Sequence, residues 1–110
     1  MTDKTPKYIT TTLPYVNADP HIGFGLEMVQ ADALARYWRH VVGVEVFFNT
    51  GTDEHGQKIA QKADEAGRDR QEYADHYAGE FNRLKEALNL SYDNFIRTTD
   101  SDHKAAAQHI

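Results

Sequence analysis

The sequence has no cysteine, which excludes a disulfide or a thiolate-ligated zinc site within this chain. Proline is scarce, at 3 of 110 residues. No apolar run approaches the roughly 20 residues that a membrane-spanning helix needs. No positively charged segment followed by an apolar stretch opens the chain, so no secretory leader is recognised. We therefore expect a soluble, cytoplasmic protein with no membrane partner.

Positive charge is also in short supply, because 12 Lys and Arg face 17 Asp and Glu, for a net charge of -5. A general nucleic-acid-binding surface is basic, so any RNA contact is expected outside this chain. Hydrophobic residues make up 40% and charged residues 26%, an ordinary balance for a folded domain. The length fits one domain at most.

Short β-rich runs alternate with amphipathic segments and predict the element order β-α-β-α-α-β-α. Strands are predicted at residues 7–13 (KYITTTL), 44–49 (VEVFFN) and 94–98 (NFIRT). Helices are predicted over residues 23–42, from the TGTD turn at 50–53 to Gly67, from Asp69 onward and from Ser101 onward. This alternation is typical of an α/β fold with a parallel sheet and right-handed crossovers.

The periodicity also predicts which helix faces are buried. The expected stripes are Ala31, Leu34, Trp38 and Val41 in the first helix, Ile59, Ala63 and Ala66 in the second, and Tyr73, Tyr77, Phe81, Leu84 and Leu88 in the third. Asp32 and Arg36 fall on the opposite face of the first helix, where they can pair at i,i+4.

Two polar side chains, Glu27 and His55, interrupt these stripes. Each lies four residues before an apolar stripe position, Ala31 and Ile59 respectively. A carboxylate that faces a core is costly unless it is paired. Glu27 therefore either reaches water or accepts from a backbone amide, or both residues line a ligand cleft at the strand ends. The loops after two predicted strands meet at this edge, which favours the cleft.

The segment Pro20-His21-Ile22-Gly23 precedes the first predicted helix, which is expected to start at Asp19 or Pro20. A helix N-terminus offers amides and a favourable dipole to a phosphate, and a histidine there can donate a hydrogen bond. Gly23 has no side chain, so a base or a sugar can approach the backbone closely. Alone, such a triplet more often marks a simple turn.

Asp53, Glu54 and His55 form a second polar group, after the second predicted strand. Adjacent residues at a helix start point in different directions, and no second His or Cys follows at a ligand spacing. No metal site is therefore predicted. In the simplest interpretation, Asp53 and Glu54 stabilise the dipole of the helix that follows.

Several further blocks occur in a fixed order. They are TTTLPYVN at residues 10–17, PHIG at 20–23, QAD at 30–32, ARY at 35–37, TGTDEHG at 50–56 and SYDNF at 91–95. Together they resemble the class I aminoacyl-tRNA synthetases, and the methionyl enzymes in particular. The resemblance implies a Rossmann-type nucleotide-binding domain, with residues 7–110 as its N-terminal half after a polar lead at residues 1–6.

The resemblance implies a two-step reaction that uses ATP, as its magnesium complex, and L-methionine. Methionine is activated to methionyl-adenylate and then passes to tRNA(Met). By the same resemblance, His21 is the catalytic residue that contacts the ATP phosphates, and Gly23 and Glu27 hold the adenosine. The family's signature usually ends in a second histidine, where this chain has Phe24; that position is predicted to support the site.

On the methionine side, the resemblance implies that Leu13 and Tyr15 form part of the side-chain pocket. Asp53 is implied to bind the ammonium group, as expected for a carboxylate at the end of a strand. Asn17 and His55 are implied to be nearby supporting residues.

The family has further parts that this sequence does not contain: a second half of the fold with a lysine-rich loop, a connective insertion that often bears zinc, and an anticodon-binding domain. We therefore expect a fragment that is weakly active or inactive alone, binds no zinc and self-associates through exposed sheet edges. Two alternatives stay open: a small nucleotidylyltransferase of related fold, and a non-catalytic, truncated nucleotide-binding module.

Overall fold

A computed structural model describes residues 4–110, so the predicted lead at residues 1–6 lies partly outside the described range. Its elements are β1 (Lys7–Thr10), α1 (Ile22–Arg36) continuing into π-helical turns (Tyr37–Val42), β2 (Val46–Thr52), α2 (Gln57–Glu65), α3 (Arg70–Asn82), the short α4 (Leu84–Ala87), β3 (Asn94–Arg97) and α5 (Ser101–His109). The predicted order is confirmed, with α4 as one additional short helix.

The strands form one parallel sheet in the order β1-β2-β3. Ile9 of β1 is registered with Phe48, and Gly51 of β2 with Ile96. Each crossover runs through helix, as parallel neighbours require. The predicted α/β class is confirmed, and β2 is the central strand with hydrogen-bonded partners on both sides.

The strand boundaries differ from the prediction at the end where the site is expected. β1 stops at Thr10 because the next two residues turn to side-chain partners: Thr11 Oγ1 lies 2.6 Å from Thr50 Oγ1, and the Thr12 amide donates to Glu27 at 3.0 Å. β2 begins later and runs to Thr52, so the segment predicted as a turn is strand. Pairing with β3, which reaches Thr52, extends it.

The prediction of which face of α1 is buried is wrong. Leu34 and Val41 are 43% and 72% exposed, and Ala31 and Trp38 are only partly buried. The residues of α1 that are buried are Phe24, Met28, Asp32 and Ala35.

The face of α1 that carries Asp32 packs inward because this carboxylate has partners there. Asp32 pairs with Arg36 at 2.7 Å, as the i,i+4 spacing predicted, but not on the outer face. The loop before β3 brings Ser91, whose amide and hydroxyl both donate to Asp32. A buried polar residue with three donors is stable where an unpaired one is not.

The helices that follow β2 are closer to the prediction. Ile59 and Ala63 are buried in α2, whereas Ala66 lies beyond its end and is exposed. The start of α3 is confirmed, because Asp69 accepts from two amides of its first turn. Leu88 was predicted to be buried but is 39% exposed, since α3 ends at Asn82 and the chain bends into α4.

The core lies between the sheet and these helices. Phe48 of β2 is fully buried at its centre, and Phe24 of α1 meets Phe81 of α3 edge to face, with ring centroids 5.2 Å apart. The aromatic pair joins α1 to α3 just below the loop that follows β1. No helix within residues 4–110 is long and apolar enough to cross a membrane.

Candidate functional site

The polar residues singled out in the sequence lie where β1 and β2 end. The two loops that follow these strands are joined directly: Tyr15 and Asp53 form a parallel bridge, and the Asp53 amide donates to the Pro14 carbonyl at 2.9 Å. The carboxyl edge of a parallel α/β sheet is where ligands bind in such folds. Two segments 38 residues apart in sequence therefore form one surface.

A cleft of about 430 Å³ opens between the loop after β1 and the first turns of α1. This volume is within the range of small-molecule sites, about 300–1,000 Å³. Six predicted site residues line it together: Tyr15, Asn17, His21, Gly23, Phe24 and Glu27. A depression of about 480 Å³ beside α4 contains none of the predicted site residues.

A second hollow, of about 340 Å³, lies on the other side of Tyr15 and Asn17, against the start of α2. Tyr73 of α3 donates from its hydroxyl to the Asn17 carbonyl at 3.1 Å and holds this loop in place. Burial raises the pKa of the Tyr73 phenol above its ordinary value, so it stays a donor at neutral pH. The wall between the two hollows is therefore anchored to the core.

His21 is the N-cap of α1, in place of the predicted Asp19 or Pro20. Its Nδ1 accepts from the Gly23 amide at 3.0 Å. A ring nitrogen that accepts carries no proton, so the neutral imidazole holds its proton on Nε2. His21 thus presents a donor beside the positive end of a 15-residue helix.

Gly23 leaves room for the imidazole of this cap. A Cβ at this position would lie 2.8 Å from His21 Cε1 and 3.0 Å from its Nδ1, so the ring would have to shift. Replacement of Gly23 would therefore displace the imidazole, so the glycine and the histidine act as one unit.

Glu27 joins α1 to the loop after β1. Its two oxygens accept from the Thr12 amide at 3.0 Å and the Thr12 hydroxyl at 2.7 Å. Glu27 therefore accepts from a backbone amide and also lines the cleft, whereas His55, predicted to line the same cleft, does not. The Glu27 carboxylate keeps acceptor capacity on the cleft side, since each oxygen has two lone pairs and uses one.

Asp53 is half-buried and its carboxylate is oriented locally. One oxygen accepts from the His55 amide at 3.2 Å. His55 itself does not head the stripe of α2: the helix begins two residues later at Gln57, and His55 is exposed with Nε2 3.2 Å from the Thr98 carbonyl. It borders a separate hollow with Arg70 and Lys104 rather than the 430 Å³ cleft.

The two remaining predicted residues differ in their placement. Phe24 borders the cleft but is 8% exposed and packs on Phe81, so its side chain belongs mainly to the core. Leu13 is partly buried in the loop after β1 and lines none of the hollows described here.

Sequence reasoning missed the role of Glu54. It was interpreted as a residue that stabilises a helix dipole, but its side chain is 0% exposed and makes a two-point ion pair with Arg97, at 2.6 and 2.7 Å. The helix starts three residues further on, at Gln57. No periodicity flags Glu54, because it lies in a loop; only its adjacency to Asp53 could have drawn attention to it.

Within residues 4–110, no three or more His, Asp or Glu side chains are grouped as a metal would require. The cleft is lined instead by the His21 imidazole at a helix N-terminus and by the Glu27 carboxylate, and Asp53 is bridged through its backbone to Tyr15. The parallel sheet, its helical crossovers and this edge define an α/β domain of the Rossmann type.

Comparison with known proteins identifies the family to which the chain is similar. The sequence model of the family described as tRNA synthetases class I (M) matches residues 7–110. The methionine–tRNA ligase of Mycobacterium leprae is 51% identical over 105 residues, covering 96% of this chain and 19% of that protein. The enzyme of Thermotoga maritima is 52% identical over 101 residues, covering 92% and 16%.

The structural comparison agrees. A structure of Mycobacterium tuberculosis methionyl-tRNA synthetase in complex with methionyl-adenylate superimposes with a TM-score of 0.91 at 48% identity, over 94% of this chain and 20% of that one. The chain belongs to the methionyl family of class I tRNA synthetases. It spans about one fifth of the length of the relatives it matches. The named relatives are all methionine–tRNA ligases, which favours that prediction over the nucleotidylyltransferase alternative.

Proposed function

We propose that this chain forms the ATP- and methionine-binding first part of a methionine–tRNA ligase. The observation that carries the proposal is the cleft itself. A proton-bearing imidazole at a helix N-terminus and the Glu27 carboxylate line one hollow, and Asp53 is bridged through its backbone to Tyr15, which also lines it. These groups match three polar parts of the substrates: the phosphate, a ribose hydroxyl and the ammonium group.

In the first half-reaction, the methionine carboxylate attacks the α-phosphorus of ATP. A P–O bond forms to the carboxylate oxygen as the bond to the pyrophosphate oxygen breaks, and pyrophosphate leaves with its electron pair. No protein nucleophile is needed, so catalysis consists of alignment and stabilisation of charge on the phosphorus oxygens. We assign that stabilisation to His21 Nε2–H and the amides of the first turn of α1.

The proposal assigns the adenosine to the α1 side. Gly23 lines the cleft without a side chain, and the unused lone pairs of Glu27 can accept from a ribose hydroxyl. Phe24 supports this side through packing on Phe81.

Methionine is assigned to the β2 side. Asp53 pairs with its ammonium group, while Leu13 and Tyr15 contribute to the side-chain pocket. Asn17 holds the intervening loop through its carbonyl, and His55 fixes Asp53 through its backbone amide.

The proposal also names the substrate form, the acceptor and the compartment. ATP enters as its magnesium complex, tRNA(Met) is the acceptor, and the reaction takes place in the cytoplasm. The net charge of -5 favours tRNA contacts in other parts of the ligase. Exposed apolar side chains such as Ile22 and Leu26 on α1 favour self-association of the isolated chain.

The test is methionine-dependent exchange of labelled pyrophosphate into ATP. We would measure it in this chain alone and in a chimaera, the Mycobacterium tuberculosis relative with this chain in place of the matching segment. Exchange by the chimaera that requires methionine and is lost in His21→Ala and Asp53→Ala supports the proposal. An inactive but folded chimaera, or one that exchanges equally well with other amino acids, contradicts it.

A further inference from the structure

Glu54 and Arg97 lie beside the site but face away from the cleft, and the reaction proposed above does not use them. We infer that this pair is a positioning device that aims the Asp53 carboxylate at the ammonium group of methionine. The inference rests on the proposed function and adds a residue pair that determines how well methionine binds.

The Glu54 carboxylate is saturated with donors. Oε1 accepts from Arg97 Nη2 at 2.7 Å and from the Thr99 hydroxyl at 2.9 Å. Oε2 accepts from Arg97 Nε at 2.6 Å and from the Thr52 hydroxyl at 2.9 Å. Four directional bonds to a side chain that is 0% exposed leave it one orientation.

Arg97 extends the pair across the fold. It is the last residue of β3, and its guanidinium also reaches Asp75 of α3. The hydrogen bond with Glu54 is the main reason that the pKa of Arg97 lies above its ordinary value. Glu54 is thereby tied to a strand and to a helix that are far from it in sequence.

These contacts fix the residues on both sides of Asp53. Before it, Thr52 donates to Glu54 and accepts at its carbonyl from the Thr98 amide, at 3.3 Å. After it, the Glu54 amide donates to the Thr98 hydroxyl at 2.8 Å. These bonds hold the backbone on both sides of Asp53, and the His55 amide holds one oxygen of its carboxylate.

Stability alone does not account for a charged pair at this position. An apolar pair of similar volume commonly supports a fold as well as a buried ion pair does. What the ion pair adds is directionality, and direction matters here because a misplacement of about 1 Å can reduce catalysis by about 100-fold.

The experiment uses the active chimaera and the variants Glu54→Gln and Arg97→Lys. Glu54→Gln keeps the shape but loses the charge and places an amide N–H₂ against donors. Arg97→Lys keeps the charge but loses the two-point geometry. We expect the KM for methionine to rise about tenfold in Glu54→Gln and by less in Arg97→Lys, with the KM for ATP unchanged within about twofold.

The matched control is Asp64→Asn, which neutralises a carboxylate in an exposed ion pair with Arg70 and should change neither KM. Thermal unfolding of each variant is recorded in parallel, and kinetics are measured well below the transition. A methionine KM that stays at the unsubstituted value in both variants overturns the inference. So does an equal rise in the KM for both substrates, which is what a merely structural role predicts. Failure of the unsubstituted chimaera to exchange would instead count against the proposed function.

Discussion

Two buried carboxylates, Asp32 and Glu54, use the same chemistry for different purposes. Asp32 is 7% exposed and Glu54 5%, and each accepts from an arginine and from side-chain hydroxyl groups. Asp32 lies on α1, holds the loop before β3 and lines none of the hollows described above. Glu54 directly follows Asp53 and holds the loop that carries it.

The difference shows that the role of a buried ion pair depends on which segment it holds in place. Removal of Asp32 should loosen the packing of α1 on the β3 loop, and its effect should appear in stability. Removal of Glu54 should alter the direction of one site carboxylate, and its effect should appear in the affinity for methionine. The four predictions below test this separation, from the largest expected effect to the smallest.

The largest effect is expected at Gly51, in the strand that leads to Glu54. A Cβ there would lie 1.8 Å from the Ile96 carbonyl oxygen, which is a backbone atom that cannot move without separating β2 from β3. We expect Gly51→Ala to lower the free energy of unfolding by about 3 kcal/mol, or to prevent folding. Denaturant unfolding of the chain measures it.

The matched control for that substitution is Gly79→Ala in α3, where a Cβ would meet nothing within 4 Å. Alanine is favoured over glycine inside a helix by about 0.5–1 kcal/mol, so this variant should be slightly more stable. Equal destabilisation by the two substitutions would show that the strand contact is not the cause.

The next effect concerns methionine binding. Asp53→Asn in the chimaera removes the charge that we assign to the ammonium group, at about 1.5–3 kcal/mol for a charge-assisted hydrogen bond. This corresponds to a rise of about 10–100-fold in the KM for methionine. Steady-state pyrophosphate exchange measures it. Asp32→Asn should leave that KM unchanged, and a similar rise in both variants would remove the distinction between the two regions.

Asp32→Asn should lower the stability of the chain although it leaves the KM for methionine unchanged. Asparagine keeps one acceptor for Ser91 but loses the charged pair with Arg36, so Asp32→Asn should destabilise the chain by about 1–2 kcal/mol. Urea unfolding at neutral pH measures this. The control Asp64→Asn, at an exposed pair with Arg70, should not move the midpoint. A shift as large in the control would mean that net charge, not burial, is responsible.

The smallest expected effect is the pH dependence of the difference in stability between the unsubstituted chain and Asp32→Asn. Burial by itself would raise the pKa of Asp32, but donors from Ser91 and Arg36 hold it below its ordinary value. A depressed carboxyl pKa contributes stability above the unfolded pKa, near 3.9, that is lost as pH falls through the folded pKa. Unfolding curves of the unsubstituted chain and Asp32→Asn should therefore converge below about pH 4. A constant gap would contradict the ionised pair.

Periodicity and turn chemistry predicted the architecture well because they act over a few residues. Asp69 as a helix cap and the buried positions Ile59 and Ala63 follow from spacing alone. The parallel sheet followed from the alternation of strands and helices. The cleft residues Tyr15, Asn17, His21 and Gly23 lie in sequence blocks that resemble the family, and Glu27 was singled out because it interrupts a predicted apolar stripe.

The failures have one physical cause in common. Asp32 was assigned to the outer face and Glu54 to a helix start because a polar side chain seen alone belongs in water. Each is buried because partners from distant segments, Ser91 and Arg97, are 59 and 43 residues away in sequence. Local pattern carries no information about such partners.

The sequence by itself therefore determined the fold class, the family and the polar character of the strand ends, since these depend on short-range spacing and on residue type. Only the tertiary structure decided which carboxylates are buried, where β2 ends and that the loop of Asp53 is bridged to the loop of Tyr15. Those features arise from hydrogen bonds and ion pairs between strands and helices that meet only after the chain has folded.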